Sequence, residues 1–423
     1  MTARTRVAAC LVACGLAPIP HAVAQQVTVE QLVARALKES PELQAARAET
    51  AMAAGAIQQA ALRPNPMLAG SHGRGTDGMT ATAFDIEWPL DLSRRPARVA
   101  VAERAADVTS QSVRDQERLL ASAVREQAGR LLAARRTLEV TTEVLTAARR
   151  LRDLLDRRVT EGGTTKLDAN VAAVEALRLE ADAALAAGEV EAAAIELKAT
   201  AGLAADAPLG LRDSLEGLAA SPAVPRLTAA AALSARPDLA EALARIALAD
   251  ARADNARQDA RTDVTLVGSY GRDQLGFPQQ GLDALGRHVP IHGIFHVVTI
   301  GAQVTLPFTN RNQGALASAQ AERAGAEALF TARQRAARAE IDAAAARDRE
   351  TQRAVEVYST GVRTLARQNV DIMLEAYDLG RFPLADVLVE QRRYLDVEAA
   401  YTAVLLRAYE TRAAVARALG EAP

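Results

Sequence analysis

The sequence predicts a mainly α-helical chain built from two copies of one unit, each of which also contains a pair of short β-strands. Three observations indicate this. Aromatic residues make up only 3% of the 423 residues, and most of the 49% hydrophobic share is Ala, Leu and Val, which is typical of long packed helices. Short segments of the first half recur in the same order in the second half. Within each half, the apolar period changes from helical to two and then back to helical.

The first element, residues 1–24, is predicted to be a secretory signal peptide. Two arginines precede an apolar stretch, and Ala22-Val23-Ala24 forms a small-x-small cleavage site. A second interpretation stays open, because Leu11-Val12-Ala13-Cys14 resembles a lipoprotein processing box that would leave a lipidated Cys14. Since Cys10 and Cys14 are the only cysteines, a chain cleaved after Ala24 would contain no thiol and no disulfide.

The duplication is visible in short segments that keep their order. Ser40-Pro41-Glu42-Leu43 recurs as Arg236-Pro237-Asp238-Leu239, and Ala102-Glu103-Arg104-Ala105 recurs as Ala321-Glu322-Arg323-Ala324. A unit of about 200 residues that is present twice explains both pairs. We therefore expect a first repeat, a linker rich in Pro and Gly, and a second repeat, at 25–202, 203–225 and 226–423.

Each repeat is predicted to run helix, strand pair, long helix, turn, helix. Phe84, Ile86 and Trp88 alternate with acidic residues, which indicates a strand with one apolar and one polar face. The predicted strands span about 66–73, 80–88, 262–270 and 294–306. The predicted helices span about 28–62, 95–159, 164–202, 237–260, 312–379 and 383–419. Between the last two strands, 272–293 is predicted to be a long loop.

The number of strands predicts an oligomer. Four strands with an apolar outer side cannot close a barrel, since small closed barrels need about eight. An open sheet edge is not viable in lipid, so several copies must pool their strands. Strands of about nine residues have the length that crosses an outer membrane. The long, charged helices must instead lie in water.

The order of elements and three segments resemble the outer-membrane efflux proteins of the TolC type. The segments are PLDLSRRPARVAVAERA and TLPFTNRNQGALASAQAERA, after the strand pairs, and YDLGRFPLADVLVEQRRYLDVEAA at the last helix turn. Arg311-Asn312-Gln313-Gly314 is similar to the branch that exports heavy metals of the cobalt–zinc–cadmium and copper–silver kind. The resemblance implies a homotrimer with a twelve-stranded barrel in the outer membrane of a Gram-negative bacterium and a long periplasmic α-helical tunnel.

The function implied by the resemblance is an exit duct of a tripartite, proton-driven efflux system that exports heavy-metal cations. Its implied partners are outer-membrane lipid, a periplasmic adaptor (membrane fusion protein) and an inner-membrane resistance–nodulation–division pump. Alternatives are a duct for drugs or for type I protein secretion, a periplasmic adaptor with a long α-hairpin, and a secreted coiled-coil protein. The adaptor would need β-rich modules beside the hairpin, and the coiled coil does not explain the duplicated strand pairs.

The resemblance implies that function lies at the two helix turns, which in this family close the tunnel and contact the adaptor. The implied gate residues are Asp386, Asp168, Tyr377 and Arg381. The implied adaptor-docking residues are Gly162, Gly163, Thr164, Gly380, Phe382 and Pro383. The sequence departs from the family at two points, because Val389 replaces a second acidic residue and Phe382 stands where the gate arginine is usual.

Two interpretations of Asp168 and Asp386 stay open. Three copies of Asp386 around one axis would form a carboxylate ring, and such rings select cations. Alternatively, both aspartates only cap the helices in whose first turns they lie.

No enzyme activity and no cofactor is expected, because the sequence lacks serine-hydrolase, zinc-protease and phosphate-loop motifs. A net charge of −2 gives no basic footprint for nucleic acid. His288, His292 and His296 recur every four residues, which on a helix would be a weak candidate metal site. Pro290 and Gly293 would interrupt such a helix, so we expect a loop and no metal ligation.

Overall fold

The computed structural model describes residues 26–76, 79–220 and 229–420, so the predicted signal peptide and Cys14 lie outside the described residues. Its helices are α1 (Val29–Glu39), α2 (Pro41–Ala61), α3 (Arg95–Thr160), α4 (Lys166–Thr200), α5 (Leu215–Ala220), α6 (Ala229–Ala235), α7 (Pro237–Asp259), α8 (Gln313–Val357), α9 (Arg363–Asp378) and α10 (Leu384–Ala418). Its strands are β1 (Gln26–Val27), β2 (Met67–Arg74), β3 (Thr80–Pro89), β4 (Gly210–Leu211), β5 (Asp263–Leu282) and β6 (His288–Thr305). None of these helices is both long and apolar enough to cross a membrane.

The mainly α fold class with a duplicated unit is confirmed. Helix, strand pair, long helix, turn and helix follow one another in α2 to α4 and again in α7 to α10. The two units begin alike, since Pro41 and Pro237 each occupy the first turn of their helix, where a missing backbone N–H costs nothing. The helix α3 has 66 residues and is therefore roughly 100 Å long.

One four-stranded antiparallel sheet contains the two strand pairs, in the order β2-β3-β5-β6. Its outer face is apolar and exposed, with large side chains at Leu68, Phe84, Ile86, Trp88, Leu266, Tyr270, Val298, Ile300 and Val304. Its inner face is polar near the helices, with Asp85, Glu87, Thr265, Ser269 and Gln303. Within the described part of the chain, β2 and β6 are edge strands that each pair on one side only.

The prediction of a loop at 272–293 is wrong, because β5 and β6 continue through this segment and turn only between Leu282 and His288. Proline and glycine interrupt regular structure in isolation, but this hairpin accommodates them. The register shift between Phe277 and Gln280 places Pro278 in a bulge. Pro290 lies opposite Gln280 at the end of this bulge, on an edge strand, and bulges and edge strands are the places where sheets tolerate proline.

Two predicted helices are interrupted. Residues 28–62 form two helices that meet at Ser40, whose hydroxyl accepts a hydrogen bond from the backbone N–H of Leu43 at 3.4 Å. Residues 312–379 contain the π-helical turn Tyr358–Val362 between α8 and α9. The predicted linker 203–225 contains β4 and α5, and β4 pairs in parallel with β1.

The largest core lies where α1, α3, α4, α5 and α10 meet. Its members include Val124 and Leu131 of α3, each 0% exposed, and Leu405 of α10. Gly129 lets α10 approach closely, because a Cβ built there would lie 2.6 Å from the Tyr409 ring.

Three arginines at the start of α3 bind the ends of two other helices. The side chains of Arg95 and Arg98 donate to the carbonyls of Ala61, Ala60 and Leu62 at the end of α2. Arg94 donates to carbonyls at the end of α7. Cations at helix C-termini satisfy unpaired carbonyls and complement the helix dipole, so the SRRPAR segment fixes the start of α3 against the ends of α2 and α7.

Candidate functional site: the paired helix turns

The α3–α4 turn ends its first helix with a glycine in the left-handed conformation. Gly162 has φ +73°, its N–H donates to Val159 O at 3.1 Å, and the Gly163 N–H donates to Arg158 O at 2.7 Å. This pair of bonds is a Schellman motif, which satisfies the last carbonyls and reverses the chain. The predicted stop at Gly162 therefore has a specific backbone reason.

The α9–α10 turn repeats this geometry. Gly380 has φ +70°, its N–H donates to Tyr377 O at 2.8 Å, and the Arg381 N–H donates to Ala376 O at 2.9 Å. The two turns are thus the same motif in the two repeats.

An apolar cluster packs the two turns together. It comprises Leu155, Ala169, Ala172, Leu384 and Leu388, all buried. Tyr377 packs against the edge of this cluster, from α9. The two turns therefore form one tip in a single chain.

Three charged side chains of the tip influence the pKa of Tyr377. Burial raises the pKa of its phenol, the positive charge of Arg158 opposes the rise, and the negative charges of Asp168 and Asp378 add to it. Arg158 also lies 3.6 Å from the Asp378 carboxylate, which ties the end of α3 to the end of α9. Arg158 and Asp378 were missed by sequence reasoning, because their pairing depends on how the two turns dock.

Asp168 and Asp386 occupy the same first-turn position but differ in their contacts. The Thr165 hydroxyl accepts from the Asp168 N–H at 3.1 Å and donates to its carboxylate at 2.7 Å, and Thr164 donates to the same oxygen at 3.2 Å. Asp168 is therefore part of a helix cap. In α10, Pro383 stands where α4 has threonine and has no hydroxyl to donate.

The Asp386 carboxylate is exposed and has no hydrogen bond or ion pair within 26–76, 79–220 and 229–420. Its backbone N–H bonds to Pro383 O at 3.2 Å. Arg381, Phe382 and Pro383 are also exposed around it. Around Asp386 the tip thus presents a carboxylate and a cation that have no side-chain partner in the described residues, next to an aromatic ring that is 46% exposed.

The three histidines lie on β6 and not in a loop. Consecutive ones are four residues apart, and on a strand that spacing separates them by roughly 13 Å, too far to bind one ion. His296 instead bonds the Tyr270 hydroxyl through Nδ1 at 2.7 Å. In the described residues, no group of three or more metal-ligating side chains occurs.

A buried charge network lies farther along the helices. Glu398 of α10 is 1% exposed and accepts from Arg136 at 2.9 Å and from Arg363 at 2.5 Å. Both guanidinium groups lie over the Tyr401 ring, at 5.2 and 5.4 Å from its centroid. Sequence reasoning missed this network, whose signal is that Glu398 lies three residues after Leu395 and seven before Leu405, on one face of α10.

The model of the outer membrane efflux protein family matches residues 32–203 and 228–421. Several solved structures are similar. MtrE, an outer membrane channel of Neisseria gonorrhoeae in its open state, is 17% identical with a TM-score of 0.74, covering 93% of this chain and 88% of MtrE. VceC of Vibrio cholerae is 20% identical with a TM-score of 0.71, covering 93% and 96%. CusC, described as forming a transmembrane channel, is 17% identical with a TM-score of 0.74, covering 94% and 92%. No curated protein matches the chain. At these identities the structures show a shared fold only.

Proposed function

The chain belongs to the outer membrane efflux protein family, and from this we propose that it is the exit duct of a tripartite, proton-driven efflux system. The family consists of efflux proteins, which confirms the prediction that the chain is not an enzyme. The proposed location is the outer membrane of a Gram-negative bacterium, with the helices in the periplasm.

The two-faced sheet is the observation that supports this proposal most. Its outer face is apolar and exposed, its inner face is polar, and both of its edges lack a second partner in the described chain. In lipid, such a sheet is stable only when its edges are paired, so copies must join β6 of one to β2 of the next. Three copies supply twelve strands around a polar lumen, and their long helices continue the lumen as a tunnel.

The proposed docking partner is inferred from the exposed apolar side chains of the tip. Its exposed apolar side chains include Leu167, Leu379 and Phe382, at 71%, 62% and 46% exposure. Apolar side chains at the end of a helical hairpin suit a helical partner, and we propose that this partner is the periplasmic adaptor of a resistance–nodulation–division pump. The glycines of the two turns, with Thr164 and Pro383, would shape this docking end.

We propose that Asp386 forms the gate ring and that Asp168 acts as a helix cap. The contacts favour this division, because the Asp168 carboxylate accepts two hydrogen bonds and its backbone N–H donates a third, whereas the Asp386 carboxylate has no partner in the described residues. Three Asp386 carboxylates around an axis would attract cations and repel one another on closure. Tyr377 and Arg381 would supply the contacts that hold the closed state.

We propose heavy-metal cations as the cargo. This rests on the similarity of Arg311-Asn312-Gln313-Gly314 to the metal-exporting branch and on the cation preference of the Asp386 ring. Drugs and secreted proteins are the alternative cargoes. Deletion of the gene decides between them: we expect lower tolerance to zinc, cobalt, cadmium, copper or silver, with drug tolerance unchanged. Loss of drug tolerance alone would reject the metal proposal.

The gate is tested with Asp386→Asn, which keeps the shape of the side chain and removes its charge. In planar bilayers we expect the cation-over-anion permeability ratio to fall several-fold. Asp168→Asn is the matched control, and it should leave selectivity unchanged while lowering stability by about 0.5–1 kcal/mol. Identical selectivity in both variants and the parent would show that Asp386 does not line the constriction.

A further inference from the structure

The hairpin β5–β6 extends well beyond the rest of the sheet. The last pair between β3 and β5 is Ala81 with Asp273, but β5 and β6 remain paired up to Leu282 and His288. Nine further residues of β5, two of them in the bulge, pair with seven further residues of β6 and extend the hairpin by roughly 23 Å. We call this two-stranded part, 274–282 with 288–295, the distal hairpin.

Polarity changes face at the base of the distal hairpin. Nearer the helices the outer face is apolar, with Leu266 and Ile300, and the inner face is polar, with Ser269 and Thr299. From the Arg272–His296 pair outward, which is one step below the distal hairpin on this face, the outer face has mostly polar residues. These are Arg272, Gln274, Gln280, His288, His292 and His296, with Leu282, Pro290 and Ile294 as apolar exceptions. The inner face becomes apolar, with Leu275, Phe277, Val289, Ile291, Phe295 and Val297.

The side chains on the apolar inner face are closely packed. The rings of Phe277 and Phe295 meet edge to face with centroids 6.0 Å apart. Both cover Gly293, where a Cβ would lie 3.0 Å from the Phe277 ring and 2.8 Å from the Phe295 ring. Between Asp273 and Asp283 no charged residue lies on this face.

This face needs a partner that the described part of one chain does not provide. Leu275, Phe277, Ile291 and Phe295 are 51%, 41%, 40% and 42% exposed. A free two-stranded ribbon is at best marginally stable in water, and a contiguous apolar patch in water indicates an interaction surface. The outer face points to lipid in the lower sheet, so the inner face points to the axis of the barrel.

We propose that the distal hairpins of three copies pack their inner faces together across the axis and form an apolar constriction at the extracellular mouth. This rests on the proposed function, since the copies are those that share the barrel. A closed symmetric oligomer places identical surfaces around one axis, and the apolar face is continuous along β6 with the edge by which copies join. An apolar constriction excludes water and ions until its walls separate, so the duct has an exit seal besides its periplasmic gate.

Cysteine cross-linking tests the packing directly. The parent chain, whose only cysteines are Cys10 and Cys14, is the blank. Phe277→Cys and Ile291→Cys place a thiol on the inner face, and Gln274→Cys and His292→Cys are matched controls on the outer face of the same strands. On oxidation in outer-membrane vesicles, we expect the inner-face variants to give at least ten-fold more covalent dimer than the controls. Equal yields from both faces would overturn the proposal.

Conductance supplies a second measurement that does not depend on an introduced thiol. The double variant Phe277→Ser with Phe295→Ser should raise single-channel conductance several-fold, while Gln274→Ser should not. If the parent forms neither an oligomer nor a channel, the proposed function itself fails. If the parent forms both, but the inner-face thiols do not cross-link and the serine variant conducts like the parent, only the exit seal is rejected.

Discussion

Replacement of Glu398 is expected to destabilise the helical part more than any exposed charge replacement. Its carboxylate is 1% exposed and accepts from Arg136 and Arg363. Removal of one partner from a buried ion pair costs roughly 3–5 kcal/mol, because it leaves a buried charge uncompensated. Arg136 keeps its ion pair with Glu216, and Arg363 is 39% exposed and can be hydrated. For both reasons we expect the loss of stability in Glu398→Ala to lie at the lower end of this range, at about 3 kcal/mol.

The assay is thermal unfolding of the detergent-solubilised chain, followed by far-UV circular dichroism. For a chain of this length, about 3 kcal/mol corresponds to a fall in Tm of about 3–4 °C. Glu398→Gln keeps an acceptor but loses the charge, so about half of this effect is expected. A double-mutant cycle with Arg363→Met should give a coupling of at least about 1 kcal/mol.

The matched control is Glu350→Ala, because Glu350 pairs with Arg353 on the surface of α8 with both side chains about 70% exposed. Such pairs contribute roughly 0–1 kcal/mol, so Tm should hardly change. If Glu398→Ala and Glu350→Ala lower Tm equally, the buried network of Glu398 does not stabilise the helices.

Three further predictions concern helix packing, the turns and acid stability. Gly129→Ala should cost about 1–3 kcal/mol because its Cβ would collide with a tyrosine of α10, whereas Gly188→Ala, with open space around it, should be neutral or slightly stabilising in the same melts. Gly380→Ala should cost about 1–2 kcal/mol, since φ is +70° there, and an unchanged Tm would contradict the Schellman geometry. Burial raises the pKa of Glu175, but the hydrogen bonds from Arg392 and another arginine outweigh it and lower the pKa below its ordinary 4.5. Because this pKa is lower in the folded state, the ionised carboxylate stabilises the fold above pH 4.5, and this stabilisation is lost as the pH falls through the folded-state pKa. Glu175→Gln should therefore make Tm depend less on pH on the acid side, and an unchanged dependence would contradict this.

The sequence predicted the features that depend on local patterns. Period two located the bases of β3, β5 and β6, the internal repeat located β2, and glycines at the ends of helical patterns located both turns. The distal hairpin was missed because Pro278, Pro290 and Gly293 act as breakers in isolation. In the structure a bulge, an edge strand and two phenylalanine rings accommodate them.

The site was predictable only in part, for a related reason. Positions such as Gly162 and Gly380 follow from backbone geometry, which neighbouring residues determine. The Arg136–Glu398 pair joins residues 262 positions apart, and the different contacts of Asp168 and Asp386 depend on a threonine in one turn and a proline in the other. Long-range pairing and such single substitutions are invisible to periodicity.

The π-helical turn Tyr358–Val362 determines which way the tip faces. A π turn contains one residue more than an α turn, so all of α9 is rotated by about 100° relative to a continuous α8. Tyr377, roughly 20 Å farther along the helix, contacts the tip cluster in this rotated phase. The five-residue turn therefore works as a spacer: removal of a single residue there would leave the helix intact and swing the phenol of Tyr377 away from α3 and α4.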